Sequence, residues 1–200
     1  MATNQKKTDV QDFERRSATY ENSRRQGYIF DRVQRIVLDL AKNWKKPESI
    51  LDVGCGTRRL LRKVKEHWPD ARLIGVDPAE GMIQQATQLL SDAEFHVAKA
   101  ESLPLPDASV DLVFSTLSFH HWSDQAKGVS EIARVMRSQG RFLLADIMIP
   151  FGLSHVIRHF KRNNPAKTRE MFAQAGLNVE FQQRPWLWSR ILVITGGKKL

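Results

Sequence analysis

The sequence predicts an α/β fold: a Rossmann-like, doubly wound sheet of seven mostly parallel strands, with an antiparallel last strand pair and helices on both faces. Three observations carry it. Short apolar runs alternate with segments of helical period from residue 49 to residue 147, the pattern of βαβ units. A glycine-rich turn follows the first apolar run, in ILDVGCGTRR at 50–59. The last two strand-like runs are joined by a linker too short for a crossover helix, so they are expected to pair antiparallel.

The elements follow in order. Residues 1–12 are polar. From Gly27 to Trp44 the apolar positions Ile29, Val33, Ile36, Val37 and Leu40 recur at helical spacing, and Pro47 ends that helix before a first strand at Ser49–Gly54. Leu60, Leu61, Val64 and His67 mark the next helix, closed by Trp68-Pro69-Asp70. RLIGV at 72–76 is a buried second strand ending at Asp77, and Pro78 suits the first turn of a helix through Met82, Ile83, Ala86 and Leu90. Glu94–Ala98 is a third strand, Ser102–Ser109 a loop with two prolines, and VDLVFS at 110–115 a fourth strand. A helix over Asp124–Met136 is ended by a turn at Gly140, and RFLLADI at 141–147 is the fifth strand. The basic segment 150–164 sets Leu153, Val156, Ile157 and Phe160 at helical spacing. Pro165–Ala175 is a helix with Gly176 as its C-cap, and Val179–Gln183 and Ser189–Thr195 are the closing strands. This divides the chain into an N-terminal helical extension or lid, 1–46, and a domain, 47–200, with its motif core at 48–148.

Composition narrows the class. The 200 residues, 42% apolar and 26% charged, are ordinary for one soluble domain. No apolar run approaches the roughly 18 residues that span a bilayer, and the N-terminus has no apolar signal core. A lone cysteine, Cys55, excludes a disulfide framework and fits a reducing compartment, so a cytoplasmic location is expected. The net charge of +9 is uneven: residues 1–46 hold eleven Lys/Arg against six Asp/Glu, and residues 155–200 nine against two. Basic flanks favour anionic partners, but no nucleic-acid recognition motif accompanies them.

The informative side chains sit at strand ends, where ligands bind in such sheets. Asp52 with Gly54, Cys55 and Gly56 ends the first, Asp77 the second, Ala100 and Glu101 follow the third, and Ser115 through Trp122 follow the fourth. An acid about 20 residues beyond a glycine loop is placed to accept hydrogen bonds from a ribose. A dinucleotide is the alternative ligand. Against it, the loop reads G-x-G-x-R, without the third glycine that helps seat a pyrophosphate at a helix N-terminus, and Asp52 would set negative charge beside the phosphates. A ligand bearing a cation, an amino acid or sulfonium, suits Asp52 better, and S-adenosylmethionine has both.

ILDVGCGT, LIGVDPAEGMI, AESLPLPDASVDLVFSTLSFHHW and EIARVMRSQGRFLLADI resemble successive motifs of the class I S-adenosylmethionine-dependent methyltransferases, in the small-molecule branch that includes quinone-biosynthesis (methyltransferase type 11) enzymes. The resemblance spans about residues 48–148. It implies that the loop from Asp52 to Gly56 passes the methionine moiety, that Asp77 holds the ribose hydroxyls and Pro78 follows it, and that Met82 packs on adenine with Ala100 and Glu101 along its edge. Ser115 would lie under the methionine end, and Tyr20, in the stretch before the first helix, would belong to a lid. From the residues themselves, Phe151, Leu153, Val156 and Phe160 form either the substrate-facing surface of a second lid after the fifth strand or the packed face of a helix. The cofactor implied is S-adenosyl-L-methionine, and the partner a small-molecule acceptor, anionic or aromatic.

Two positions depart from the family pattern. Arg58 replaces the loop's third glycine, where its side chain either crowds the cofactor or turns outward, as Arg59 is expected to do. Lys99 stands where many relatives carry an aspartate that accepts from the adenine amino group, and lysine cannot accept. For chemistry, His120 and His121 are the candidate bases, lying after the fourth strand with side chains that titrate near neutral pH; His155 and His159 are weaker. No N/D-P-P-Y/F motif follows the fourth strand, which disfavours methylation of exocyclic base amines. No His/Asp/Glu cluster shows metal-ligand spacing. Two alternatives to a small-molecule enzyme remain open: a binding protein impaired by Arg58, and an RNA-directed enzyme using the basic flanks.

Overall fold

The computed structural model describes Gln11, Glu14, Arg15 and residues 24–147, 165–183 and 192–200. Tyr20, the basic segment 150–164 with both its histidines, and Pro185 lie outside the described residues. No helix among the described residues is long and apolar enough to cross a membrane.

Seven strands form one sheet in the order β3-β2-β1-β4-β5-β7-β6. They are β1 (Ser49–Val53), β2 (Arg72–Asp77), β3 (Glu94–Val97), β4 (Val110–Thr116), β5 (Met136–Ile147), β6 (Leu177–Gln183) and β7 (Leu192–Lys199). β1 to β5 run parallel, whereas β7 runs antiparallel to both β5 and β6. The helices are α1 (Arg24–Ala41), α2 (Arg59–His67), α3 (Glu80–Leu89), α4 (Gln125–Val135) and α5 (Pro165–Gln174).

The alternation of side chains along each strand feeds two cores, one per sheet face. Ile50, Leu73, Leu112, Phe114 and Leu143 point to the face covered by α1, α2 and α3. Leu51, Val53, Ile74, Val113 and Phe142 point to the other, covered by α4 and α5. The first face matters for the site. Val33, Val37, Leu38 and Ala41 of α1 are buried in the same cluster as Leu60, Leu61 and Val64 of α2, and Lys63 Nζ on α2 bonds Asp31 Oδ1 at 2.5 Å and Gln34 Oε1 at 2.6 Å on α1. These contacts fix α1 against the carboxyl end of the sheet.

Two expectations are corrected. Pro78 is not in the first turn of α3: Ala79 is the N-cap and the helix starts at Glu80. No Gly140 turn separates α4 from the fifth strand either. β5 begins at Met136, opposite Val110, and its register shifts before Arg141 meets Leu112. The irregularity is absorbed by Gln139 at φ 67° and by Gly140, where a Cβ would stand 2.8 Å from the Arg137 carbonyl.

Candidate active site

The strand order reverses at β1, with β2 on one side and β4 on the other. A topological switch point of this kind leaves a crevice beyond the strand ends. A cleft opens there, lined by Phe30 and Gln34 of α1, Asp52, the turn Gly54–Thr57, Arg59 of α2 and Thr116 of β4. A larger groove lies at the opposite edge, among Trp44, Lys45, Asp111 and Arg141, and holds none of the candidate catalytic or cofactor-binding residues.

The turn is built on two left-handed glycines, Gly54 at φ 80° and Gly56 at φ 52°. The N–H groups of Gly54 and Cys55 both donate to the Val76 carbonyl, at 2.7 and 3.1 Å, which ties the turn to the end of β2. Gly54 has a second constraint: a Cβ there would lie 2.3 Å from Ser118 Cβ. Ser118 Oγ donates to the Val53 carbonyl at 2.9 Å and is 2.8 Å from Ser115 Oγ, so Ser115, fully buried, supports Ser118 against the turn. Leu117 takes φ 55°, a strained conformation for a residue with a Cβ, and its N–H donates to the Ala145 carbonyl at 2.8 Å. The strain aims the chain after β4 across the strand ends.

Arg58 also adopts a left-handed conformation, φ 80° and ψ 10°, as the N-cap of α2. That geometry is why glycine is at home in this position. Arg58 is not among the residues lining the cleft; Arg59 is. The expectation that Arg59 turns outward is therefore corrected. Helical side chains lean toward the N-terminus, so the first residue of α2 reaches back over the turn.

Two carboxylates mark the site: Asp52 lines the cleft, and Asp77, at the end of β2, is bonded to its glycine turn. Asp52 is 1% exposed, and its Oδ1 is buried with no hydrogen-bond partner. Burial, with Asp77 nearby, pushes its carboxyl up to about 8. Asp77 accepts from Gly56 N–H at 3.0 Å and from Ala79 N–H at 2.9 Å, so it joins the glycine turn to the start of α3. Burial raises it to about 6, against the lowering by those two donors, with Glu14 also raising it. Burial likewise pushes the Cys55 thiol well above its ordinary range, which makes it an inert packing residue of the turn.

The remaining candidates are placed nearby. Met82 is 1% exposed, and Ala100 is buried. Glu101 Oε1 accepts from Asp124 N–H at 2.7 Å, holding the segment after β3 to the start of α4; Lys99 is exposed. Arg134 anchors the following loop through the carbonyls of Leu103 and Leu105 and the carboxylate of Asp107, at 3.0, 2.9 and 2.6 Å. His120 and His121 lie in a single 3-10 turn, Phe119–His121, with ring centroids 4.0 Å apart. His120 is held by Asp146, a residue the sequence reading passed over: the His120 N–H donates to Asp146 Oδ2 at 2.8 Å, and Nδ1 lies 2.7 Å from Oδ1. The available signal was an acid inside the apolar run RFLLADI, parallel to Asp52 in ILDV. Among the described residues, no group of three or more His, Cys, Asp or Glu is placed to hold a metal ion.

The donor set tests the implied cofactor. A buried carboxylate with an unused oxygen suits an ammonium group, and a second at the neighbouring strand end suits paired hydroxyls. The glycine turn brings backbone rather than side chain to the space between them. The residues present fit S-adenosylmethionine.

Comparison with known proteins bears on the same site. A model described as a methyltransferase domain matches residues 51–144, which contain the glycine turn, Asp77 and both histidines. Residues 51–144 thus carry a methyltransferase domain, in keeping with the motifs of the sequence. It is 38% identical over 104 residues to the malonyl-[acyl-carrier protein] O-methyltransferase of Hahella chejuensis, covering 51% of this chain and 37% of that one. It is 30% identical over 119 residues to the demethylmenaquinone methyltransferase of Thermotoga maritima, covering 60% and 50%. A crystal structure of geranyl diphosphate C-methyltransferase from Streptomyces coelicolor, holding Mg2+, geranyl diphosphate and S-adenosyl-L-homocysteine, superposes with TM-score 0.73 at 12% identity, over 84% of this chain and 78% of that one; this likeness is one of fold. The chain spans half or less of the length of the first two relatives. Phe30 and Gln34 of α1, which line the cleft, lie outside the residues of the matched domain.

Proposed function

We propose that this protein transfers a methyl group from S-adenosylmethionine to a small-molecule acceptor. The observation that carries the reading is the buried, unpartnered Oδ1 of Asp52, in a cleft at the switch point of the sheet. When bound, the cofactor supplies an electrophilic methyl group on a sulfonium, which a nucleophile displaces in line. Asp52 and the turn through Gly54, Cys55 and Gly56 would hold its amino-acid end, and Asp77, followed by Pro78, its ribose hydroxyls. Met82, Ala100 and Glu101 would border the adenine, and Ser115 would support the floor through Ser118. Tyr20 is proposed as a lid residue. The chain's own contribution is to orient the reactants and exclude water, since correct placement of two reacting groups contributes most to such a displacement. His120 and His121 are the proposed bases at the mouth. A small acceptor is supported by relatives that methylate an acyl-carrier-bound malonyl group and a quinone precursor.

Calorimetric titration with S-adenosylhomocysteine tests the cofactor assignment. Asp52→Asn and Asp77→Asn are each expected to weaken binding at least tenfold, because each replaces a charge-assisted contact worth about 1.5–3 kcal/mol. Unchanged affinity in both variants would remove the cleft as the cofactor site.

A further inference from the structure

We propose that Gln34 is a specificity-determining residue of the cleft: held by Lys63, it presents a hydrogen-bond donor that selects a ligand carrying a carboxylate. The inference rests on the methyl-transfer reading and deepens it.

α1 turns an apolar stripe toward the sheet, formed by Val33, Val37, Leu38 and Ala41. Gln34 lies within that stripe, 4% exposed, the only buried polar side chain among the described residues of α1. Lys63 of α2 accounts for one end of its amide. The ammonium bonds Asp31 Oδ1 at 2.5 Å and Gln34 Oε1 at 2.6 Å, so the amide ties the two helices together. The tie also fixes which way the amide faces. An ammonium has donors and no acceptor, so the Gln34 atom beside Lys63 must be the carbonyl oxygen. Nε2, with its two N–H donors, is therefore turned away from Lys63, and no described residue accepts from it.

A tie between helices needs only the oxygen. A buried N–H pair left without an acceptor is costly, and the cleft that Gln34 lines with Phe30, one turn earlier on α1, is where an acceptor can arrive. The charges in the same lining name its chemistry. They are one acid, Asp52 of β1, and one base, Arg59 of α2. Asp52 suits a cationic group. Gln34 Nε2, with a guanidinium in the same wall, suits an anion that accepts more than one hydrogen bond, and a carboxylate offers two oxygens. Two sources of a carboxylate fit: the amino-acid end of the cofactor, whose ammonium Asp52 would hold, and an acidic acceptor molecule.

The test reads the Gln34 amide itself. In 15N-labelled protein its Nε2 protons give a signal identified by its loss in Gln34→Glu. A downfield move on binding S-adenosylhomocysteine, absent with the decarboxylated analogue, supports the proposal and assigns the carboxylate to the cofactor. A move only when benzoate or malonate is added to the S-adenosylhomocysteine complex supports it with the carboxylate on the acceptor. A signal that none of these moves, or that the two cofactor analogues move equally and the acids leave in place, overturns it.

Gln34→Glu separates this role from a purely structural one. Glutamate still accepts from Lys63, so the tie between α1 and α2 holds and the melting temperature should stay near that of the wild type. Its second oxygen meets the ligand as an acceptor, so affinity for the carboxylate that moved the signal should fall about tenfold or more, while the decarboxylated analogue binds as before. Equal affinity of variant and wild type for that carboxylate overturns the proposal, and Gln34→Met serves where Gln34→Glu fails to fold. A wild type that binds no S-adenosylhomocysteine would sink the methyl-transfer reading instead, a failure distinct from a bound ligand that leaves the Gln34 signal in place.

Discussion

At the scale of single residues, Asp52 and Asp77 set the pH behaviour of the protein. Both are raised above the ordinary 3.8, to about 8 and about 6, so the folded state holds protons that the unfolded chain releases. The stability they contribute is fully present below about pH 4 and is lost as pH rises through 6 and then 8. Ligand-free protein is expected to melt progressively lower between about pH 5 and pH 8. Asp52→Asn should flatten that slope and raise the melting temperature near pH 8 by several degrees, since 1 kcal/mol shifts a domain of this size by about 2–4 °C. An ammonium group placed beside Asp52 favours its ionised form, so S-adenosylhomocysteine, which carries one, should stabilise the wild type more as pH rises. Thermal melts across this window, with and without ligand, check both; a wild-type melting temperature independent of pH would contradict the account. These two acids were legible in the sequence because each ends an apolar run beside a turn signal. Asp146 carries the same signal without a glycine after it, and only the pairing of β4 with β5 brings it to His120.

At the scale of elements, the turn between β1 and α2 is held by constraints from two sides. Gly54 needs a left-handed backbone and space for Ser118. Gly54→Ala is therefore expected to cost roughly 2 kcal/mol or more and to reduce cofactor affinity, read by denaturant unfolding and calorimetry; a stable variant that binds normally would show that the turn tolerates a Cβ. The GCG spacing announced this turn from sequence alone. The onset of β5 was not legible, because Gly140 reads as a turn signal whereas the chain accommodates it as a register shift within a continuous strand. The inward face of Arg59 was missed for a similar reason: which way the first residue of a helix leans is decided by the path of the turn before it.

At the scale of the whole molecule, α1 is structural as well as a wall of the cleft. Its Val33, Val37, Leu38 and Ala41 complete one of the two cores, while Phe30 and Gln34 line the site. Removing residues 1–46 would expose that apolar face of the sheet, and the truncated chain is expected to lose cooperative thermal unfolding by circular dichroism; a sharp transition at the wild-type temperature would show instead that the extension is dispensable. The helical period of α1 was plain in the sequence, but not the face on which it docks, since that depends on Lys63 meeting Asp31 and Gln34. The central claim is that the cleft under Asp52 and Asp77 binds S-adenosylmethionine although Arg58 occupies the third glycine position. Calorimetric titration of S-adenosylhomocysteine into wild type and Arg58→Gly tests it most directly. The account predicts binding to both within about threefold, with Arg58→Gly more stable by about 1 kcal/mol from relief of the left-handed backbone. Binding absent in the wild type and present in Arg58→Gly would contradict it.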